Sequence, residues 1–314
     1  MPLAVVAVGG NALIKDPSHQ SVADQYSAAV ETMKHIASMV RSGWEVVITH
    51  GNGPQVGFIL MRSDLASRYA GLHCVPLDSC GADTQGAIGY IFQQVLRNEF
   101  IMNSMEKESV TLVTRVLVDE KDPAFGAPSK PIGPFLTLEE AEKRKTEDGW
   151  QVCEDAGRGW RRIVASPRPL EILEENAIRT LARAGFVVIA AGGGGIPVYR
   201  RPDGIIAGLE AVIDKDLTSA LLASRVKADL LLISTSVERI YLDYSGPGKR
   251  PIDRAGLDEM RGFFKEGSFC SGSMGPKVEA AVTYIENTGG RAVITSPENI
   301  TAAAEGNAGT QITP

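Results

Sequence analysis

Two periodicities alternate along the chain. Short apolar runs rich in β-branched residues predict buried strands over 3–8, 45–49, 109–118, 186–191, 230–234 and 291–295. Between them, apolar residues recur every three or four positions, which predicts helices over 26–41, 78–98, 168–184, 214–225 and 274–287. In the first helix the apolar face is Ala29, Met33, Ile36, Met39 and Val40, and Gly43 supplies the stop. Strands alternating with helices imply right-handed crossovers and a largely parallel sheet covered on both faces, an α/β fold of three layers. The stretch 119–166 breaks the rhythm. It is dense in charge, carries prolines at 123, 128, 131 and 134, and reads as a small subdomain inserted into one domain spanning 1–314.

Composition sharpens one point. The chain has 33 glycines in 314 residues, above the usual ~7%, and they cluster where predicted strands end. Gly9-Gly10-Asn11-Ala12, His50-Gly51-Asn52-Gly53-Pro54 and Gly192 to Gly195 all lie at the sheet edge where open α/β folds bind ligands. Glycine lets backbone N–H groups approach an anion closely, and Asn11 and Asn52 add side-chain donors. No G-x-x-x-x-G-K-[ST] occurs, which excludes a P-loop, and Gly51, Gly53 and Gly57 depart from the spacing of a dinucleotide fingerprint.

Charge excludes other classes. With 32 basic and 38 acidic residues the net charge is −6, unlike a general nucleic-acid binder. No apolar stretch approaches the ~20 residues that span a bilayer, and no basic leader precedes the first strand, so a cytoplasmic protein without a membrane partner is expected. Cys74, Cys80, Cys153 and Cys270 form no C-x-x-C pair and are expected as reduced thiols. The sequon at Asn299 is then expected to stay unused. His19, His35, His50 and His73 show no metal spacing, and His50, beside a glycine loop, reads as structural or supporting.

Lysines supply the candidate chemistry. Asp214-Lys215-Asp216 opens one predicted helix and Ser273-Met274-Gly275-Pro276-Lys277 opens another, with Ser273 as a candidate cap. A lysine in the first turn opposes the helix dipole, and a bound anion would reverse that penalty. Lys130, among prolines in the insertion, could be held rigidly over a cleft. Glycine loops and convergent lysines are the parts phosphoryl transfer needs: positioning and positive charge. Asp216 could orient the lysines or help hold a metal–nucleotide complex.

These segments resemble carbamate kinase, a branch of the amino-acid kinase superfamily. The resemblance rests on 8–13, 50–57, 130–135, 154–161, 192–197, 211–216 and 272–277 in order, and it continues into the closing Gly309-Thr310-Gln311-Ile312. It implies an open, mainly parallel sheet of about eight strands, a subdomain protruding at about 119–166, and a homodimer. It also implies reversible phosphoryl transfer between ATP and carbamate, giving ADP and carbamoyl phosphate. Mg²⁺ would be held mainly by the nucleotide phosphates, with no protein metal site. In cells the implied direction is ATP synthesis from carbamoyl phosphate in arginine catabolism. Residue by residue, Lys215 and Lys277 would flank the transferring phosphoryl group, Lys130 would reach the carbamoyl phosphate end, and Asp216 would organise the lysines. Gly9, Gly10, Asn11, Gly51, Asn52 and Gly53 would form the phosphate cradle. Ser234, Thr235, Val237, Tyr244, Met274 and Gly275, with Lys215 and Lys277, would bind the nucleotide.

One position sets this chain apart from other branches, and one segment departs from the family pattern. Many relatives outside the carbamate branch carry a lysine where this chain has Ala7, and Lys215 would supply that charge. The family often reads Thr-Gly-Val-Asp beside the adenine pocket, where this chain reads Thr235-Ser236-Val237-Glu238. Two other readings stay open: a kinase for another small acid, and a sensor that binds nucleotide or carbamoyl phosphate without turnover.

Overall fold

The computed structural model describes residues 1–10, 13–14, 18–155, 157–244, 246–269 and 274–314. Asn11, Cys270 and Ser273, named above, lie outside the described residues. The central sheet has eight strands: β1 (Leu3–Val8), β2 (Glu45–His50), β3 (Ser109–Thr111), β4 (Val187–Ile189), β5 (Leu230–Ser234), β6 (Arg254–Gly256), β7 (Arg291–Thr295) and β8 (Thr310–Thr313). Their spatial order is β6-β8-β7-β5-β1-β2-β4-β3. Neighbours run parallel except β7 and β8, which pair antiparallel.

The layering follows from the period of two within β1, all six residues of which are buried. Leu3, Val5 and Ala7 point into one core with α5 (Glu175–Arg183), α6 (Lys215–Val226), α7 (Leu257–Lys265) and α8 (Met274–Thr288). Ala4, Val6 and Val8 point into the other, under α1 (Val22–Arg41), α3 (Leu77–Met102) and α9 (Ile300–Ala304). Each fully buried aliphatic chain contributes about 1.5–3 kcal/mol, so burial on both faces makes β1 the spine of the fold. No helix among the described residues is long and apolar enough to cross a membrane. Cys74, Cys80 and Cys153 are free thiols, and burial pushes Cys80 up to about 11.

Two expectations fail locally. The run 109–118 is two strands: β3 joins the central sheet, while Arg115–Leu117 joins a separate four-stranded sheet. The buried side chain of Gln85 accepts from Thr114 N at 2.8 Å and donates to Thr114 O at 3.2 Å, which takes that residue out of the main ladder. The helix expected over 168–184 is confined to Glu175–Arg183. Pro169 biases Arg168 toward an extended backbone, and the chain then runs beside Arg115–Leu117, with Leu170 N bonded to Leu117 O and Leu173 N to Arg115 O.

Between Lys130 and Val164 the chain builds its own antiparallel sheet from Lys130–Leu136, Val152–Glu154 and Trp160–Val164, beside α4 (Leu138–Asp148). A full capping box, Thr137 with Glu140, starts α4. This unit rests on α2 (Gly53–Ala70) where the two backbones almost touch. A Cβ on Gly57 would fall 2.8 Å from Gly133 Cα, so glycine is required at that crossing.

Candidate active site

The site forms at the carboxyl ends of β1, β2 and β5. Gly9-Gly10 follows β1 and Gly51–Gly53 follows β2, and Gly51 N donates to Val8 O at 3.2 Å, tying the two loops together. A Cβ on Gly9 would sit 3.0 Å from Ser234 O, and one on Gly51 would sit 3.6 Å from both Gly10 N and Lys215 Cδ. The loops are thus packed against each other, against β5 and against the Lys215 stem. Asn52 is buried, and its Nδ2 donates to Thr84 Oγ1 at 2.9 Å. Gly53, at the start of α2, has open space where a Cβ would stand.

Helix α6 carries the central charges. Asp214 caps it, its Oδ1 accepting from Asp216 N at 2.9 Å and Leu217 N at 3.3 Å. Thr49 Oγ1 lies 2.6 Å from Ser219 Oγ, which donates to Lys215 O at 2.6 Å, so the first turn is stitched to β2. Asp216 lies 3% exposed and receives two ammonium groups: Lys215 Nζ at 2.6 Å on Oδ1 and Lys277 Nζ, from the first turn of α8, at 3.0 Å on Oδ2. Burial alone would raise the Asp216 carboxyl, but the two ammonium charges and their hydrogen bonds outweigh it and hold it at about 2. Burial pulls Lys215 below the ordinary lysine value, with the charge of Asp216 opposing and that of Lys277 reinforcing. The first-turn lysines are therefore compensated by a shared carboxylate.

Lys130 comes from the 130–164 unit and lies 2.9 Å from Asp214 Oδ2. All three lysines named from the sequence thus meet at the start of α6, on two adjacent carboxylates. Between Gly10, Gly53, Pro54 and the 130–164 unit opens a cleft of about 630 Å³. Arg158 and Arg161 line it, both held by Asp155 at 3.0 Å and both stacked on Phe135. Neither arginine nor Asp214 was assigned a role from sequence. The signal for the arginines is their place in the recognisable run 154–161, and that for Asp214 is its capping position directly before Lys215.

The run Gly192 to Gly195 is packed into the interior, where the sequence suggested backbone open to an anion. It is buried, and Cβ atoms there would collide with His50 Nε2 at 2.3 Å, Asn52 Nδ2 at 2.2 Å, Ile213 O at 2.4 Å and Val116 Cγ2 at 2.2 Å. These glycines let the loop support the site from below. His50, 1% exposed, meets Phe92 edge-on and is driven down to about 4 by burial, so it is a neutral structural imidazole.

The residues named for nucleotide binding lie at the end of β5 and just beyond it, at the start of α8 and, for Lys215, at the start of α6. Ser234 is buried, and its Oγ has no hydrogen-bond partner among the described residues. Thr235 N bonds Thr295 O at 2.8 Å, and Thr235 and Val237 are half-buried. Tyr244 is exposed, with the Lys249 ammonium 4.2 Å from its ring centroid. Met274 packs on the core, and a Cβ on Gly275 would lie 3.1 Å from Phe269 O.

The amino acid kinase family model matches residues 2–296. The carbamate kinase-like protein YahI of Escherichia coli is 46% identical over 99% of this chain and 98% of its own length. A carbamate kinase of Pyrococcus horikoshii is 47% identical, again over 99% of this chain and 98% of its own. Among solved structures, the carbamate kinase of Giardia lamblia bound to AMP-PNP superposes with a TM-score of 0.92 at 40% identity, covering 99% of this chain and 98% of that one.

Proposed function

The chain belongs to the amino acid kinase family, and we propose that it is a carbamate kinase, moving a phosphoryl group reversibly between ATP and carbamate. The carrying observation is the carboxylate of Asp216 shared by Lys215 and Lys277, with Lys130 delivered beside them from a separate unit. Supporting it are relatives named carbamate kinase over essentially the whole chain and a similar structure described with an ATP analogue.

In the ATP-forming direction an oxygen of the ADP β-phosphate attacks the phosphorus of carbamoyl phosphate. The bond from phosphorus to the carbamate oxygen breaks, and carbamate leaves. Such transfer relies on alignment and charge stabilisation. Lys215 and Lys277 flank the transferring group, Lys130 meets the carbamoyl end, and the glycine loops with Asn11 and Asn52 offer donors to its oxygens. Because Asp216 is held at about 2, it stays ionised throughout the working range and keeps both ammonium groups in register. Ser234, Thr235, Val237, Tyr244, Met274 and Gly275 border the nucleotide. Asp214 and Asp216 are both taken up by ammonium and amide donors, so this donor set fits Mg²⁺ arriving on the nucleotide phosphates, where it would neutralise their charge.

The reading extends to ATP formation in arginine breakdown, to a cytoplasmic enzyme and to a homodimer. The last is supported by exposed apolar side chains beside the β3 edge, Tyr90 and Val113. Light scattering tests the dimer. A coupled assay tests the activity: ADP, Mg²⁺ and carbamoyl phosphate should yield ATP, and ATP with carbamate the reverse. No turnover in either direction overturns the reading, and preference for an amino-acid carboxylate in a substrate panel replaces carbamate with another small acid.

A further inference from the structure

Lys130 differs from the other two lysines in where it comes from. Lys215 and Lys277 stand on helices of the main body, whereas Lys130 opens a strand of the 130–164 sheet. Its place relative to the lysine pair therefore depends on how that unit is held. The unit as a whole is held on α2 by the Gly57–Gly133 crossing and by two ion pairs, Arg144 with Asp64 at 2.6 Å and Arg68 with Asp148 at 2.7 Å. Asp214 adds a contact at Lys130 itself. Its Oδ1 closes the first turn of the helix that carries Lys215 and Asp216, and its Oδ2 takes Lys130 Nζ at 2.9 Å. One carboxylate is thus bonded at the same time to the helix start and to the incoming lysine, and its side chain is 17% exposed.

We propose that Asp214 is a positioning residue that registers Lys130 against Lys215 and Lys277. A lysine side chain has several freely rotating bonds, and its ammonium has three donors. One donor on Asp214 fixes the head and leaves others for an anionic substrate. Without that anchor Lys130 keeps its charge and loses its place, so alignment suffers more than attraction. The proposal rests on the phosphoryl-transfer reading above.

Asparagine separates the two tasks of Asp214. It remains a good cap but carries no charge for Lys130. ATP formation is measured for the wild type, Asp214→Asn, Lys130→Met and the double variant, with ADP and carbamoyl phosphate varied in turn. The expected result is a kcat for Asp214→Asn lower by ~10-fold or more, an unchanged KM for ADP and a melting temperature near wild type. In the Lys130→Met background the same change should have no further effect. A kcat within about twofold of wild type, or a loss carried in full onto Lys130→Met, would overturn the proposal. If Asp214→Asn does not fold, Asp214→Ser, another good cap, takes its place in the same cycle. An inactive wild type would instead defeat the carbamate kinase reading, and the proposal with it.

Discussion

Asp216→Asn is the sharpest perturbation this site offers. The change keeps shape and removes one charge, leaving Lys215 and Lys277 with an amide where they shared a carboxylate at 2.6 and 3.0 Å. The two lysine side chains are only 13% and 10% exposed, so water cannot fully replace the lost partner. A unit-charge pair about 4 Å apart is worth ~4 kcal/mol at an effective dielectric of ~20, and removing one member of a buried pair costs about 3–5 kcal/mol in practice. The expected loss in unfolding free energy at pH 7 is therefore about 3–5 kcal/mol, read by urea denaturation. The sign of its pH dependence follows from the lysines. Burial already holds Lys215 below the ordinary lysine value with the charge of Asp216 opposing, so in the variant its folded value falls further, the unfolded chain binds more protons and stability rises with pH. The gap to wild type should narrow from pH 7 to pH 9. Turnover should fall by ~10²-fold or more, since two charges lose their alignment together. A stability loss below about 1 kcal/mol, or a gap that widens with pH, would show that charge does not hold the lysines there.

Three further outcomes are expected. Lys277→Ala should lower turnover by ~10²–10³-fold in the ATP-forming assay, and a variant at wild-type rate removes Lys277 from the machinery. His50 titrates at about 4 when folded against 6.5 for the free group, so the unfolded chain takes up its proton first as the pH falls. This difference should withdraw about 3 kcal/mol of stability between pH 6.5 and pH 4, and His50→Gln should flatten that part of a denaturation series. Gly57→Ala puts a methyl 2.8 Å from Gly133 Cα, so the 130–164 unit must shift outward. Displacing Lys130 by even part of an ångström should cost ~10-fold or more in kcat/KM, while a rate equal to wild type would show that the crossing does not set the geometry.

The order of strands and helices was legible because burial on both faces writes long apolar runs into a parallel sheet, as in β1 and β2. What escaped the sequence were elements whose cause lies elsewhere in the chain. The break inside 109–118 is made by Gln85, and nothing in the local pattern marks it. Helix α2 begins Gly53-Pro54, which reads as loop until the proline is seen to occupy the first turn, where its missing N–H does no harm. Among candidate site residues, type and position single out Lys130, Lys215, Lys277 and Asp216, which the fold brings together, whereas Asp214 and the Arg158–Arg161–Phe135 group emerge only from the way the 130–164 unit leans over α2.

The glycine clusters divide along the same line between local and distant cause. Gly51 lies against the Lys215 stem, Gly9 against Ser234 O, and Gly53 faces open space, while Gly192 to Gly195 are small because His50, Asn52, Ile213 and Val116 already fill the space. The two uses share a sequence signature and have opposite consequences for mutation. Alanine in the lower run should unseat His50 and Asn52 and with them the base of the cradle, with a cost in stability. Gly53, with nothing within 4 Å of the place a Cβ would take, can accept alanine in the free protein. If phosphate approaches there, Gly53→Ala will raise KM for carbamoyl phosphate and leave the melting temperature nearly unchanged. A variant whose KM stays at the wild-type value would take Gly53 out of the cradle.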